Sequence, residues 1–310
     1  MSDGSAGPPS RKRAAPPSRT LLAWIERSCG ARVTSMRRLQ GGISTPVHRV
    51  SLVRSGTVLP PVIVRHWTGH DVDEGRHDVA VEAGVLDQLG PTQVPSPTLL
   101  GVSDGAATDG VPALLMSRLP GQVHLAPVDM SSWLHQMAST LAEIHQVQAD
   151  AVAHPPGRRR SPDEPPGWSA HPALWSAALA VLQDDPPPAP EVFLHGDYQH
   201  FNLLWSRGRL SGVVDWTQPR RGAHAADAAH CILNLTILFG HEIAGRFRLA
   251  YEQVSGHVVE PWWELHRLTM YGPAWQHFIP IQVAGHIPVD VNGMTERVEA
   301  GLEDALRRLS

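Results

Sequence analysis

The chain contains a single lysine, Lys12, among 26 basic residues in a length of 310. Past the first twenty residues, any task that needs a permanent cation therefore falls to arginine. Cysteine is almost as scarce: Cys29 and Cys231 lie far apart with no CxxC spacing. Neither a disulfide framework nor a zinc site is suggested, and each thiol is expected to be buried. An excess of positive charge is missing too, since the formal net charge is -4 with 18 histidines neutral. That leaves no general footprint for nucleic acid. No apolar run approaches the roughly 18 residues of a membrane span. The first twenty residues are basic and Pro-rich without the apolar stretch of a signal peptide, so a cytoplasmic protein with no membrane partner is expected. What remains is an ordinary composition, 42% apolar. A chain of this length can form a sizeable core and two lobes.

Residues 1–18, MSDGSAGPPSRKRAAPPS, carry too few large apolar side chains to pack and are expected to be a disordered tail. LLAWIERSCG reads as a helix ending at Gly30. MRRLQGGISTPVHRVSLV reads as strand, glycine turn, strand, and PPVIVRHW as a third strand led in by its prolines. After an acidic loop, Val81, Val85, Leu86 and Leu89 fall at helical spacing before Gly90. PTLLGVS and PALLMSRLPG read as two further strands. SSWLHQMASTLAEIHQVQ predicts a long buried helix capped at Ser131 or Ser132. HPALWSAALAVLQ predicts a short helix, VFLHGD and RLSGVVDW two strands bracketing a loop, and the segments from Ala225 onward further helices. The division expected is a β-rich, nucleotide-binding lobe over residues 19–117 and a larger helical lobe over residues 118–310.

Within HGDYQHFNLLW and the following GVVDW, Asp197, Asn202 and Asp215 stand between aliphatic runs. Desolvated carboxylates need a partner, so something positive or proton-donating is expected beside them. An Asp at a strand end can orient a hydroxyl and accept its proton. Asn202 and Asp215 offer hard oxygen ligands of the kind Mg²⁺ prefers alongside phosphate oxygens. The pattern suits phosphoryl transfer.

The set HGDxxxxN followed by an apolar-apolar-D-W strand resembles the aminoglycoside phosphotransferase and choline kinase family, relatives of the protein kinases. The resemblance covers about residues 30 to 240 and fades in the C-terminal part. It implies an α+β, bilobal protein-kinase-like fold with a small β-rich N-terminal lobe and a larger helical C-terminal lobe. It implies ATP, or GTP, and Mg²⁺ as cofactors. Asp197 would be the catalytic base, with Asn202 and Asp215 as metal ligands. Gly41, Gly42 and Ser44 resemble the turn whose amides approach the nucleotide phosphates. Arg65 in VIVRHW stands where many relatives have lysine, and Glu82 resembles its partner on the next helix. An arginine can pair with phosphate and carboxylate in a bidentate fork, although it is not equivalent to a lysine point charge. Ser117 and Arg118 resemble the connector whose main chain meets the adenine ring, with Met116 packing nearby. His195 would brace the loop, and Asp227 would stabilise it from the start of a helix. His200 and Phe201 depart from the Pro or Gly usual in the family loop.

The acceptor is less constrained. The resemblance implies a small molecule with a hydroxyl group, handled by a monomer or homodimer. An antibiotic such as an aminoglycoside is the reading favoured by the Arg-rich composition. A metabolic acceptor such as choline, homoserine or a sugar is the alternative, and a noncatalytic nucleotide-binding protein a further one. Glu260, Glu264, Asp290, Glu296, Glu299, Glu303 and Asp304 could form an acidic acceptor pocket or an exposed helical face. Trp262, Trp263 and Trp275 could line a pocket or pack helices. His224 and His230 are wrongly spaced for a helical metal pair, and HEIAG lacks the second histidine of HExxH, so zinc is not expected.

Overall fold

The computed structural model describes residues 18–39, 45–68, 71–149 and 161–309. The expected tail falls outside them, apart from Ser18.

Helix α1 (Arg19–Cys29) begins at Ser18, whose side chain accepts the Leu21 N–H, and ends at Gly30 in the left-handed region. Strands β1 (Arg32–Arg38), β2 (Val47–Arg54) and β3 (Thr57–His66) run antiparallel, followed by α2 (Val72–Leu89), β4 (Leu99–Ser103) and β5 (Ala113–Ser117). The five strands form one sheet in the order β1-β2-β3-β5-β4. Successive strand side chains point to opposite faces, so the sheet is apolar on both. Val50, Leu52, Val62, Val64, Ala113 and Leu115 pack with Leu21, Trp24 and Ile25 of α1. Leu114 and Met116 face the other way, with α2.

Two expectations in this half are corrected. The prolines do not lead into β3; Pro60 and Pro61 sit inside it, where the β2 register shifts between Val50 and Leu52. Pairing with β5 starts only at Val62, so the missing proline N–H groups cost that ladder nothing. The acidic segment before Val79 is not a loop but the first turns of α2. Asp71 caps it by accepting the Asp73 and Glu74 N–H groups, and the acids of the first turn complement the helix dipole.

The remaining elements are α3 (Met130–His145), α4 (Pro172–Val181), β6 (Glu191–Leu194), β7 (Leu203–Ser206), β8 (Arg209–Val213), β9 (Arg220–Ala223), α5 (His224–Phe239), α6 (His241–Ser255), α7 (Pro261–Leu268), α8 (Trp275–Val283) and α9 (Gly293–Arg307). The cap of α3 is Asp129, accepting the Ser132 N–H at 3.0 Å, and not Ser131 or Ser132. Two short strands were not anticipated: β7 pairs with β8, and the polar β9 pairs with β6. The cluster under α2 continues without a break into Trp133, Met137 and Leu141 of α3 and Phe193, Leu203, Val213 and Trp216 around the β6 to β8 region. This continuity fixes the sheet against the helical half. After β5 the chain bridges to the β7–β8 hairpin through reciprocal Gln122 and Trp205 backbone bonds of 3.1 and 2.8 Å. Gly121 makes that approach possible: its φ is +97°, and a Cβ would stand 2.5 Å from the Trp205 carbonyl oxygen. Only glycine adopts such a conformation without steric cost.

Candidate active site

The loop after β6 is held from three directions. Gly196 turns it at φ +87°, where an added Cβ would collide with the Gln218 carbonyl. Asp227, fully buried in the first turn of α5, accepts the N–H groups of His195 at 2.8 Å and Gly196 at 3.0 Å. Burial opposes its charge, but the His145, Arg220 and His195 side chains outweigh it and hold the carboxyl well below the usual range. Asp227 does stabilise the loop as expected, but it does not cap the helix, whose N-cap is Ala223. Tyr198 donates from its hydroxyl to the Met137 carbonyl at 2.7 Å, pinning the loop to α3.

His195 is the internal brace. Burial lowers its pKa, so the ring is neutral; Nε2 donates to the Val214 carbonyl at 3.1 Å and Nδ1 accepts the Asp197 N–H at 3.2 Å. Asn202, closing a 3₁₀ turn over His200–Asn202, donates from Nδ2 to the Asp197 carbonyl at 2.8 Å and to its Oδ2 at 3.0 Å. Gln199 Nε2 donates to Oδ1 at 2.8 Å, and His230 Nε2 meets the same oxygen at 2.8 Å. Burial would raise the Asp197 pKa, yet the hydrogen bonds from His230 and Asn202 leave it lowered. Asp197 is thus an ionised, oriented carboxylate.

The second carboxylate is next door. The Val214 N–H donates to the Asn202 carbonyl at 2.9 Å, which sets Asp215 beside the loop. Asp215 adopts φ +68°. This is a left-handed conformation that Asp tolerates better than most residues. Its Oδ1 accepts from Arg65 Nη1 at 2.8 Å and from the Thr217 hydroxyl at 3.1 Å. Arg65, on β3, reaches both oxygens of Glu82 on α2 at 3.2 Å. Its guanidinium lies 5.3 Å from the Trp67 ring centre, within reach of a cation–π attraction. Burial pushes Glu82 up to about 7 against the pull of Arg65. Burial also opposes the charge on Arg65, but Glu82 and Asp215 more than restore it. Two polar clusters therefore lie side by side, Arg65 with Glu82 and Asp215 in one and Asp197 with Asn202 in the other, joined through the Val214 main chain.

Gly41, Gly42 and Ser44 lie outside the described residues. Ser117 is part-buried, its N–H and Oγ both engaged with Thr98 at 2.8 Å, so its amide is already committed, while Arg118 follows it exposed. The acidic residues of the C-terminal part do not gather at Asp197. Glu264 is buried against Arg308 at 2.7 Å, Asp290 pairs with Arg297 at 2.9 Å, and Glu299 accepts from Ser169 and Trp175. Trp262 donates to the Asp184 carbonyl at 3.2 Å, Trp263 packs on the main core and Trp275 stands 5.2 Å from Phe278. His200 is fully buried, and burial with the nearby His230 lowers its pKa to about 3.

Sequence reasoning missed Gln199 and His230 as partners of Asp197. For His230 a signal existed: Asp227, His230 and Asn234 recur on one face of the otherwise apolar HAADAAHCILNL helix.

A model of the phosphotransferase enzyme family matches residues 35–268. The chain belongs to this family. Within it, the chain is similar to the homoserine kinase of Pseudomonas aeruginosa, 28% identical over 149 residues, which are 43% of this chain and 46% of the relative. The chain thus spans about half the length of the curated relatives it matches. Among solved structures, the macrolide 2'-phosphotransferase of Brachybacterium faecium is 21% identical with a TM-score of 0.59, covering 91% of this chain and 97% of that one. An aminoglycoside phosphotransferase solved with ADP and hygromycin B is 14% identical with a TM-score of 0.58, covering 93% of this chain and 98% of that one. These likenesses establish the α+β, bilobal kinase-like fold.

Proposed function

We propose that this phosphotransferase moves the γ-phosphate of ATP, or of GTP, to a hydroxyl of a small molecule. The observation that carries the proposal is Asp197, ionised and oriented by Asn202, Gln199 and His230 at the end of a braced loop. A carboxylate held in this way can align an acceptor hydroxyl and take its proton as the hydroxyl oxygen bonds to the γ-phosphorus and the nucleoside diphosphate leaves. Nucleotide would lie between residues 19–117 and 118–310, its phosphates near Arg65 and bound by Gly41, Gly42 and Ser44, its adenine along Ser117 and Arg118.

Magnesium fits the oxygen donors present. The Asn202 amide nitrogen is spent on Asp197, which leaves the side-chain Oδ1 as a ligand, and Asp215 is about one-third exposed with Oδ2 free of the Arg65 and Thr217 bonds that share Oδ1. When bound, the ion would neutralise phosphate charge. Arg65 would supply positive charge to the same phosphates while anchored on Glu82.

For the acceptor, we favour an aminoglycoside or another hydroxylated antibiotic, which would make this a cytoplasmic resistance-type enzyme. Solved neighbours that act on such compounds support that choice. The partial similarity to homoserine kinase supports a second reading, a metabolic amino alcohol. The test is Mg²⁺-dependent ADP or GDP release by the purified protein against aminoglycosides, macrolides, choline and homoserine, with Asp197→Ala beside it. Release with one acceptor, absent in the variant, is expected. Full turnover by Asp197→Ala would remove the assignment of the base, and silence across the panel would remove both acceptor readings.

A further inference from the structure

We infer that His230 is a positioning residue for Asp197, and that together with Gln199 it leaves Oδ2 as the oxygen that meets the acceptor hydroxyl. The inference rests on the proposed phosphotransfer at Asp197, but the contact behind it stands independently of any substrate.

The two oxygens of Asp197 are unequally occupied. Oδ1 receives both Gln199 Nε2 and His230 Nε2, each at 2.8 Å, whereas among the described residues Oδ2 receives only Asn202 Nδ2 at 3.0 Å. A carboxylate oxygen has two lone-pair directions, so Oδ1 is saturated and Oδ2 keeps one open. Removing the imidazole would free Oδ1 to compete for the hydroxyl and would let the carboxylate rotate. Neither Gln199 nor Asn202 could prevent this alone, since both come from the same short loop. His230 comes from α5, the helix that also carries Asp227 under the loop backbone. One rigid helix therefore sets both the main chain and the side chain of the loop, with Asp227 and His230 on the same face.

The tautomer follows from the stronger contact. Asn234 Nδ2 lies 3.3 Å from His230 Nε2 and also donates to the His230 carbonyl at 2.9 Å. The 2.8 Å approach to an ionised carboxylate outranks the longer amide contact. Nε2 therefore carries the proton and donates it to Asp197. The pair is largely sheltered, with side-chain exposures of 15% for His230 and 24% for Asp197. That shelter strengthens the bond relative to a surface pair.

The full chain labelled with ¹⁵N-histidine provides the substrate-free test. Long-range ¹H–¹⁵N spectra identify the His230 ring as the signal set lost in His230→Gln. We expect a protonated Nε2 in the wild type and a clear displacement of that signal in Asp197→Asn. A His230 ring indifferent to Asp197→Asn overturns the inference. The kinetic arm uses an acceptor found active, or slow transfer to water if none is. His230→Ala should lower kcat roughly 10- to 100-fold with KM for ATP nearly unchanged, and His230→Gln, which can present an N–H at the same place, should recover most of it. A raised KM at constant kcat, or no loss in His230→Ala, overturns the positioning role. A retained spectral pair in a protein that transfers phosphate to nothing supports the pairing and removes only the proposed function. Transfer indifferent to His230 does the reverse.

Discussion

Asp197 is tied through its amide, its carbonyl and both carboxylate oxygens, and is sheltered by α5. Asp215, on the neighbouring turn, offers one oxygen to Arg65 and Thr217 and leaves its side chain 36% exposed. The first is built so that a single orientation survives, and the second so that a carboxylate is available to exchange one cation for another. In the proposed function the first would be the base that points at one hydroxyl, and the second a metal ligand that would share its charge with a nucleotide. The difference predicts that disturbing the two will fail in different ways, turnover in one case and nucleotide affinity in the other.

The largest effect is expected at the first. Asp197→Ala should lower kcat by about 10³-fold, within the range for loss of a general base, while nucleotide affinity holds. Equal losses of turnover and nucleotide affinity would erase the distinction between the two carboxylates. The support below Asp197 is expected to matter next. Asp227 accepts two backbone N–H groups in a fully buried site. Asp227→Asn places an amide N–H against one of them and should cost about 3 kcal/mol of stability at pH 7, read by urea unfolding. Because the Asp227 pKa is lowered in the folded protein, its contribution is present above the ordinary carboxylate range and is lost as the pH falls. The gap between variant and wild type should therefore narrow below about pH 4. A constant gap would mean that the carboxylate charge is not what holds the loop. Asp215→Asn removes the charge while keeping a residue type that tolerates the left-handed backbone at this position. It should weaken nucleotide binding about tenfold in magnesium and little in EDTA, measured by calorimetry, with stability almost unchanged. An equal loss in EDTA would place its role outside metal binding.

The contrast also explains what could be read from the chain alone. The Asp197 loop is contiguous, so spacing within HGDYQHFN carried Asp197 and Asn202, and the two-lobe order followed from strand-like and helix-like periods. Pro60 and Pro61 misled because a register shift absorbs them, and the first turns of α2 misled because capping acids look like loop residues. His230 went unseen because its partner is 33 residues away. Its spacing was judged against His224, a metal question, when the informative neighbours were Asp227 and Asn234 on the same helical face. For the acidic residues near the C-terminus a pocket and an exposed helical face both stayed open, because partners such as Arg308 on Glu264 and Arg297 on Asp290 lie too far along the chain to be read from spacing.

Arg65 is where the comparison can be sharpened with the least damage. It is 7% exposed and joins Glu82 to Asp215. Arg65→Lys keeps the charge that neutralises Glu82, so the protein should fold with close to wild-type stability. The guanidinium meets both carboxylates through the one nitrogen Nη1, whereas a lysine ammonium is a compact, strongly hydrated charge on a more flexible stem and holds the two less firmly. If it stays with Glu82, Asp215 gains freedom and nucleotide affinity should fall only two- to fivefold, roughly 0.4 to 1 kcal/mol. If affinity instead rises, the Arg65–Asp215 bond was competing with the nucleotide, and the exposed carboxylate is held in reserve by that bond until the nucleotide arrives. A fall of a hundredfold or more would show that the guanidinium itself is required, and the protein would then depend on arginine at this position.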